Sequence, residues 1–183
     1  FAANVEMAPA PPPQQPRPAP GASLTRISTP ERRSIEAVSA LLKVRPEQCL
    51  KTLVVEAEDG GLIALVLRGD HELNAVKAAA LPGVSSPLRL ATDEQLQAGL
   101  PCPPGFIGPV GLPIPVIADH SAAALADFVC GANEPDWHLQ GVNWGRDLPE
   151  TRRLDREREF SLPLPLARSD ATWRYDLHGA SPE

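Results

Sequence analysis

The chain has 183 residues, a length that suits one domain with irregular ends. Hydrophobic residues make up 43% of it, enough for a core, although aromatic residues are only 4%. The net charge of -6 argues against a generic electrostatic grip on nucleic acid, which needs clustered Lys and Arg. No apolar run approaches the roughly 20 residues that a membrane helix needs, so we expect no membrane partner.

Three cysteines, Cys49, Cys102 and Cys130, show neither CxxC pairing nor the spacing of metal ligands. An odd number of cysteines without a signal peptide favours reduced thiols and a cytoplasmic protein. We interpret each as a small buried hydrophobic residue rather than as a nucleophile.

The N-terminal part divides into a linker and a helix. Residues 8–21 are a Pro/Ala/Gln tract, which predicts an extended linker without packed structure of its own. A helix follows, with Thr29 as its predicted cap and Pro30 at its first position. Its apolar side chains recur at helical spacing, at Ile35, Val38, Leu41 and Leu42. A second helix start is predicted at Pro46.

The middle of the chain predicts strands and short helices around one buried strand. Residues 51–57 and 62–67 predict two strands joined by a hairpin turn at 59–61. Further predicted elements are a helix at 74–80, a strand at 88–91, a helix from Thr92, a strand at 115–118, a helix or turn at 121–126 and a strand at 127–130. This irregular alternation favours a mixed α/β fold over a doubly wound one.

The last two segments are read from composition. Residues 131–147 are rich in Gly, Asn and Asp and carry His138 with two tryptophans, which indicates a pocket wall rather than a spacer. Residues 150–159 are dense in charge and predict a solvated helix face.

Several motifs stand in one order along the chain: Cys49-Leu-Lys-Thr-Leu-Val-Val55, Val66-Leu-Arg-Gly-Asp-His-Glu-Leu-Asn74, Gly105-Phe-Ile-Gly-Pro109, Ala118-Asp-His-Ser121, Asp127-Phe-Val-Cys-Gly-Ala-Asn133 and residues 138–147. The series resembles the editing (insertion) domain of bacterial-type prolyl-tRNA synthetases, among the YbaK-like aminoacyl-tRNA deacylases. The resemblance implies a YbaK-like fold over residues 25–147, with a mixed, mostly antiparallel sheet and helices packed around it. Residues 1–24 would then be a lead-in from the synthetase core, and 148–183 a charged, irregular extension.

Lys51 is the first candidate for catalysis. It begins an apolar strand, so its stem would be partly buried and its ammonium placed to grip a phosphate or orient an ester. Taken alone, the residue fits a strand-end lysine that reaches into water. The resemblance implies the catalytic role, because the matching lysine lies in the family's editing pocket and is needed for deacylation.

His138 and Asp119 are candidates for substrate binding. A neutral imidazole at His138 could bond a ribose hydroxyl, bind adenosine or act as a general base, or it could be a turn histidine satisfied by backbone. The resemblance implies a pocket residue, and we expect it to position substrate. The resemblance also places Asp119 in the pocket, and the alternative is an ordinary turn residue.

The segment Gly105-Phe-Ile-Gly-Pro109 resembles the family's GxxxP loop. Gly105 and Gly108 allow close backbone approach, and exposed N–H groups there could hold a carbonyl or a developing oxyanion, with Pro109 beside the substrate. The alternative is a rigid surface turn.

Ile35 and Val38 share one helix face, for which core packing is the default interpretation. In the family the matching positions bound a small pocket that admits alanine and excludes proline. Size exclusion works in that direction because a site too small for proline excludes the larger residue, whereas a pocket cannot easily reject a smaller one.

Two short motifs are discounted. Arg68-Gly-Asp70 spells an adhesion tripeptide, but a buried strand runs into it. Asp70-His-Glu72 lacks the spacing and the soft ligands of a zinc site, so we expect no metal.

The resemblance implies hydrolysis of mischarged alanyl-tRNA(Pro) by a cis-editing domain. Because no Ser-His-Asp or Cys-His set is apparent, we expect catalysis to depend on orienting the ester, a ribose hydroxyl and a water against backbone donors and Lys51. Alternatives are a free-standing trans-editing deacylase, or an insertion that binds tRNA or stabilises its parent without catalysis.

The expected partners are the alanylated 3′ end of tRNA(Pro) and the remaining domains of the parent synthetase, itself expected to be a homodimer. Editing is expected to need no cofactor. ATP would serve only the parent's catalytic core, which joins proline to tRNA.

Overall fold

The fold is built on a hairpin of two apolar strands. In the computed structural model, which describes residues 16–100 and 102–150 and the backbone of 161–163, β2 (Leu50–Glu56) and β3 (Leu62–Arg68) pair antiparallel. The turn closes with the N–H of Ala57 donating to the carbonyl of Gly61 at 2.9 Å. The predicted hairpin is thereby confirmed. On its other side β3 pairs in parallel with β5 (Val116–Ala118), and this central position explains why its middle residues are fully buried.

A second set of strands continues from the start of β2. Its order is β1 (Thr25–Ser28), β7 (Trp137–Val142) and β6 (Phe128–Gly131), all antiparallel. A parallel bridge between Cys49 and Val129 joins it to β2. The mixed, mostly antiparallel sheet that the sequence predicts is confirmed. A short strand β4 (His71–Leu73) pairs antiparallel with β8 (Ser161–Pro163).

In the described part of the chain, four short α-helices pack around these strands, each with a polar N-cap. They are α1 (Ile35–Leu42) capped by Ser34, α2 (Ala75–Ala79) capped by Asn74, α3 (Asp93–Gly99) capped by Thr92 and α4 (His120–Ala123) capped by Asp119. The Thr92 hydroxyl and the Gln95 side chain exchange hydrogen bonds with each other's backbone, so the predicted capped start is confirmed. At Pro46 the predicted start opens a 3-10 helix, Pro46–Gln48.

Two expectations about local structure are wrong. Thr29 does not cap a helix, because its side chain is fully buried in the turn after β1 and its hydroxyl faces His138. Residues 88–91 form no strand, and Leu90 makes only an isolated bridge with Val55. Leu41 lies in α1 as its spacing predicts but is 43% exposed, and the region 131–147, for which no strand was predicted, contains the six-residue strand β7.

The core lies on both faces of the hairpin. One face of β2 and β3 packs on α2 and includes Val55, Leu65, Leu67 and Ala78. The other face packs on β6 and the residues after β7, and includes Leu50, Val66, Phe128 and Trp144. A smaller cluster of Val38, Cys49 and Val129 attaches α1 to the junction between the strand sets.

The end of the proline-rich tract contacts the domain. Residues 16–20 have no regular secondary structure, but the Arg17 guanidinium donates to the carboxylate of Glu150 and to the carbonyl of Ala123. The backbone N–H groups of Gly21 and Ala22 donate to Asp127. The predictions for residues 1–15 and for most of 150–183 fall outside the described residues.

Candidate functional site

His138 is a buried link between three segments. It lies in β7 and is 5% exposed, and its Nδ1 is 2.6 Å from the hydroxyl of Thr29. A hydrogen bond to the backbone of Gly105 engages the imidazole as well, and the ring of Phe106 lies 5.6 Å away. Burial lowers the pKa of His138, an effect that the Gly105 bond opposes. These contacts favour a neutral ring that positions the glycine loop over one that transfers protons.

The loop at residues 105–109 is held against β6 by close backbone contact. A Cβ on Gly108 would overlap the carbonyl oxygen of Gly131, and one on Gly105 would lie 2.6 Å from the Cβ of Arg33. Gly105 also has φ of +95°, which favours glycine. Pro109 is buried, whereas Gly105 is exposed to solvent.

One expectation for this loop is corrected. The N–H of buried Gly108 donates to Oδ1 of Asn133 at 2.8 Å, so it is not a free donor for an oxyanion. Nδ2 of the same asparagine donates to the carbonyl of Val110 at 2.8 Å. Asn133 therefore clamps the loop, and the solvent-exposed part near Gly105 is the part that a substrate can reach.

Lys51 lies at the start of β2, opposite Leu67 of β3, and is half-buried. Burial lowers the pKa of its ammonium, and the carboxylates of Glu72, Glu36 and Asp70 oppose this shift. The ammonium is therefore partly desolvated and does not project freely into water. This partial burial is compatible with a lysine that contacts substrate.

Asp119 is 1% exposed and caps α4. Its carboxylate accepts hydrogen bonds from the N–H of Ser121 at 3.0 Å and from the Ser121 hydroxyl at 2.6 Å. These contacts match the turn interpretation, yet they also place the carboxylate beside His71, because the same hydroxyl is 3.3 Å from Nδ1 of His71.

The structure thus groups the predicted candidate Asp119 with Ser121 and His71, which the sequence did not single out as candidates. The Ser121 hydroxyl lies closer to the Asp119 carboxylate than to the His71 ring, and a carboxylate is the stronger acceptor. Its proton therefore points at Asp119, which is the wrong direction for a nucleophile activated by histidine. The sequence shows only the adjacent Asp-His-Ser run at 119–121. It gives no sign that His71, which lies 48 positions before Asp119, contacts this run.

Helix α1 connects the two groups of residues. At its N-terminal end Arg33 packs on Gly105, and one turn on Glu36 acts electrostatically on Lys51. Ile35 is half-buried on this helix, whereas Val38 is 2% exposed and packs in the core. Among the hydrogen bonds and ion pairs of the described residues, none joins Lys51 directly to His138 or Gly105, so the two groups are linked only through the start of α1, at Arg33 and Glu36.

The aminoacyl-tRNA editing domain is the family whose model matches, over residues 29–148. The chain belongs to this family. A proline–tRNA ligase of Methylobacillus flagellatus is 50% identical over 156 residues, in a match that covers 82% of this chain and 27% of the ligase. The editing domain therefore spans about a quarter of the length of that relative.

Solved structures share the architecture of the editing domain. The crystal structure of a hypothetical protein matches with a TM-score of 0.54 at 27% identity, over 64% of this chain and 79% of that one. A putative trans-editing enzyme for prolyl tRNA synthetase matches with a TM-score of 0.56 at 23% identity, over 64% and 74% of the two chains. At that identity the second likeness shows the fold alone.

The thiols of the editing domain are unsuited to nucleophilic attack. Cys49, Cys102 and Cys130 are all buried, and burial raises their pKa values, that of Cys49 to about 12. Within the described residues, no three His, Cys, Asp or Glu side chains are grouped to hold a metal ion. The same part of the chain has no helix with the length and apolarity to cross a bilayer.

Two shallow grooves of the editing domain lie at the opposite end of β2 from Lys51. One is lined by residues that include Glu56, Ser86 and Arg89, and the other by residues that include Leu62 and Gly83. No residue that the sequence singles out for chemistry lines either groove, so neither enters the candidate site.

Proposed function

We propose that this domain hydrolyses the ester bond of mischarged alanyl-tRNA(Pro), as the cis-editing domain of a prolyl-tRNA synthetase. Membership of the aminoacyl-tRNA editing family and the similarity to a proline–tRNA ligase support this function. The observation that carries it is the half-buried Lys51, on whose ammonium Glu36 in the first turn of α1 acts, while Arg33 just before the same helix contacts the exposed Gly105.

The chemistry is a simple hydrolysis. A water oxygen attacks the ester carbonyl, and the bond from the acyl carbon to the ribose oxygen breaks. The ribose oxygen takes up a proton from the attacking water, which leaves free alanine and a tRNA with its terminal hydroxyl restored. Lys51 orients the ester and stabilises the developing negative charge, with backbone near Gly105 holding the acylated end in place. His138 keeps Gly105 in position through its own hydrogen bonds, and its role is to position substrate.

Selectivity for alanine would rest on a small acyl site beside α1. Half-buried Ile35 is our candidate for its wall, and buried Val38 supports it from the core. A site that fits a methyl side chain rejects the larger proline ring by overlap, so correctly charged tRNA survives.

The parent enzyme would join proline to tRNA(Pro) with ATP, while editing itself would need no cofactor or metal. As a synthetase, the parent would act in the cytoplasm, as a homodimer, and its other domains would supply most of the tRNA affinity that a chain of charge -6 lacks. A free-standing trans-editing deacylase is the alternative, and the length of the complete gene decides between the two.

The test compares two substitutions of one residue. Lys51→Met removes the charge at similar volume, and Lys51→Arg keeps it. Each is assayed for release of amino acid from alanyl-, seryl- and prolyl-tRNA(Pro). We expect Lys51→Met to lower kcat on alanyl-tRNA about 10²–10³-fold, Lys51→Arg to retain part of the activity, and prolyl-tRNA to persist. A folded Lys51→Met variant that works at the wild-type rate refutes the role of Lys51.

A further inference from the structure

Basic residues are concentrated around α1. The chain carries a net charge of -6, yet residues 26–45 contain five Lys and Arg against two acidic residues. This is the segment that carries the loop before α1, the helix and its C-terminal turn. The local excess of positive charge makes this edge of the domain attractive to a polyanion.

Arg33 is the cation of this segment that lies nearest the glycine loop. Its backbone and Cβ pack against Gly105, and its guanidinium carbon lies 5.8 Å from the centre of the Phe106 ring. The contact with Phe106 holds the guanidinium at the loop. Because the residue is exposed, the guanidinium also remains accessible to solvent.

Arg33 shares its lack of an ion pair among the described residues with Arg32, and its contact with Gly105 is what sets it apart. Arg26 pairs with Glu134, Arg68 with Asp70 and Arg146 with Asp147. Among the described ion pairs, none involves Arg33. The charges that act on Lys51 are acidic, those of Glu72, Glu36 and Asp70.

We propose that Arg33 binds the phosphate on the 5′ side of the terminal ribose of the acylated strand, and so sets the direction from which that strand enters. The inference rests on the proposed function. With the ester between Gly105 and Lys51, that phosphate lies within reach of an extended arginine at the loop. A planar guanidinium suits bidentate binding of phosphate oxygens, whereas the carboxylates that act on Lys51 repel phosphate.

The experiment compares two substrates that differ in phosphate. Alanyl-tRNA(Pro) carries the phosphate, and 3′-O-alanyladenosine lacks it. Three variants are assayed with the wild type: Arg33→Gln, Arg33→Lys and, as a control at the far end of β2, Arg89→Gln, whose side chain is 64% exposed. Circular dichroism and thermal unfolding check that each is folded.

We expect Arg33→Gln to lower kcat/KM on alanyl-tRNA about 10–100-fold, mainly through KM, and to leave alanyladenosine unchanged. The slope of log kcat/KM against log salt should fall by about 0.7, as for one lost phosphate contact on a single strand. Arg33→Lys should be intermediate, because it keeps the charge but loses the fork, and Arg89→Gln should match the wild type.

Equal losses on both substrates would overturn the proposal, because Arg33 would then act through the glycine loop. So would an unchanged KM and salt slope in Arg33→Gln. If the wild type hydrolyses neither substrate, the proposed function fails instead. Arg33 is then tested by fluorescence anisotropy with a non-acylated RNA hairpin that ends in the tRNA 3′ sequence. Weaker binding by Arg33→Gln than by the wild type supports the phosphate contact, and equal binding overturns it.

Discussion

The hydroxyl of Thr29 lies 2.6 Å from Nδ1 of His138, and both residues are buried although 109 positions separate them. Thr29 occupies the turn between β1 and α1, and His138 lies in β7. Because the imidazole also bonds the backbone of Gly105, this pair fixes the start of α1 relative to the glycine loop. The geometry of the candidate site depends on that contact.

Thr29→Val should destabilise the domain by about 1–3 kcal/mol, since it keeps the shape but leaves a ring nitrogen of His138 buried without its partner. Urea unfolding followed by circular dichroism measures the change. Thr25→Val, at an exposed position of β1, is the matched control and should have little effect. Equal stabilities for the two variants would show that the hydroxyl contact contributes nothing.

Gly108→Ala should disrupt the loop, because the added Cβ would overlap the carbonyl oxygen of Gly131 and backbone must move. We expect a loss of about 3 kcal/mol or more and a large fall in deacylation. Gly111→Ala is the control in the same loop. Its φ of +68° costs about 1–2 kcal/mol, but no atom lies within 4 Å of the new methyl group. If thermal unfolding shows Gly111→Ala to be less stable than Gly108→Ala, the close contact between Gly108 and the carbonyl of Gly131 is not what limits this position.

The alkaline limb of the deacylation pH profile should report the Lys51 ammonium. Burial lowers its pKa, so its charge is lost at a lower pH than the value of about 10.4 for a free lysine. After subtraction of spontaneous ester hydrolysis, wild-type kcat should decline before that pH. Lys51→Arg, which stays charged, should show no such decline. Identical limbs in the two proteins would assign the titration to another group.

Substitutions along α1 should separate selectivity from stability. Ile35→Ala is expected to enlarge the acyl site and allow measurable hydrolysis of prolyl-tRNA(Pro) at modest cost in stability, because Ile35 is only half-buried. Val38→Ala should cost about 2 kcal/mol, since Val38 packs in the core with Cys49 and Val129. Leu41→Ala, on the exposed face, should change neither property. If prolyl-tRNA(Pro) stays intact with Ile35→Ala, Ile35 does not limit the size of the acyl site.

Local signals predicted much of the secondary structure. The turn at 59–61 and the apolar strands beside it predicted the β2–β3 hairpin, and the Thr92 capping pattern predicted α3. The strands β1 and β7 gave no such signal. Residues of β1 are mostly exposed, and β7 carries Gly141 at φ of +73° within a segment whose composition is typical of turns. Their strand character comes from pairing with each other across the chain.

The sequence alone determined the family, through the order of its motifs, and the elements whose signals lie within a few residues of one another. Only the tertiary structure decided which partner each polar group takes: Thr29 for His138, Asn133 for Gly108, and Ser121 between Asp119 and His71. Caps and turns are set by neighbours along the chain, whereas these bonds join distant segments. Their partners therefore depend on how the strands and helices pack.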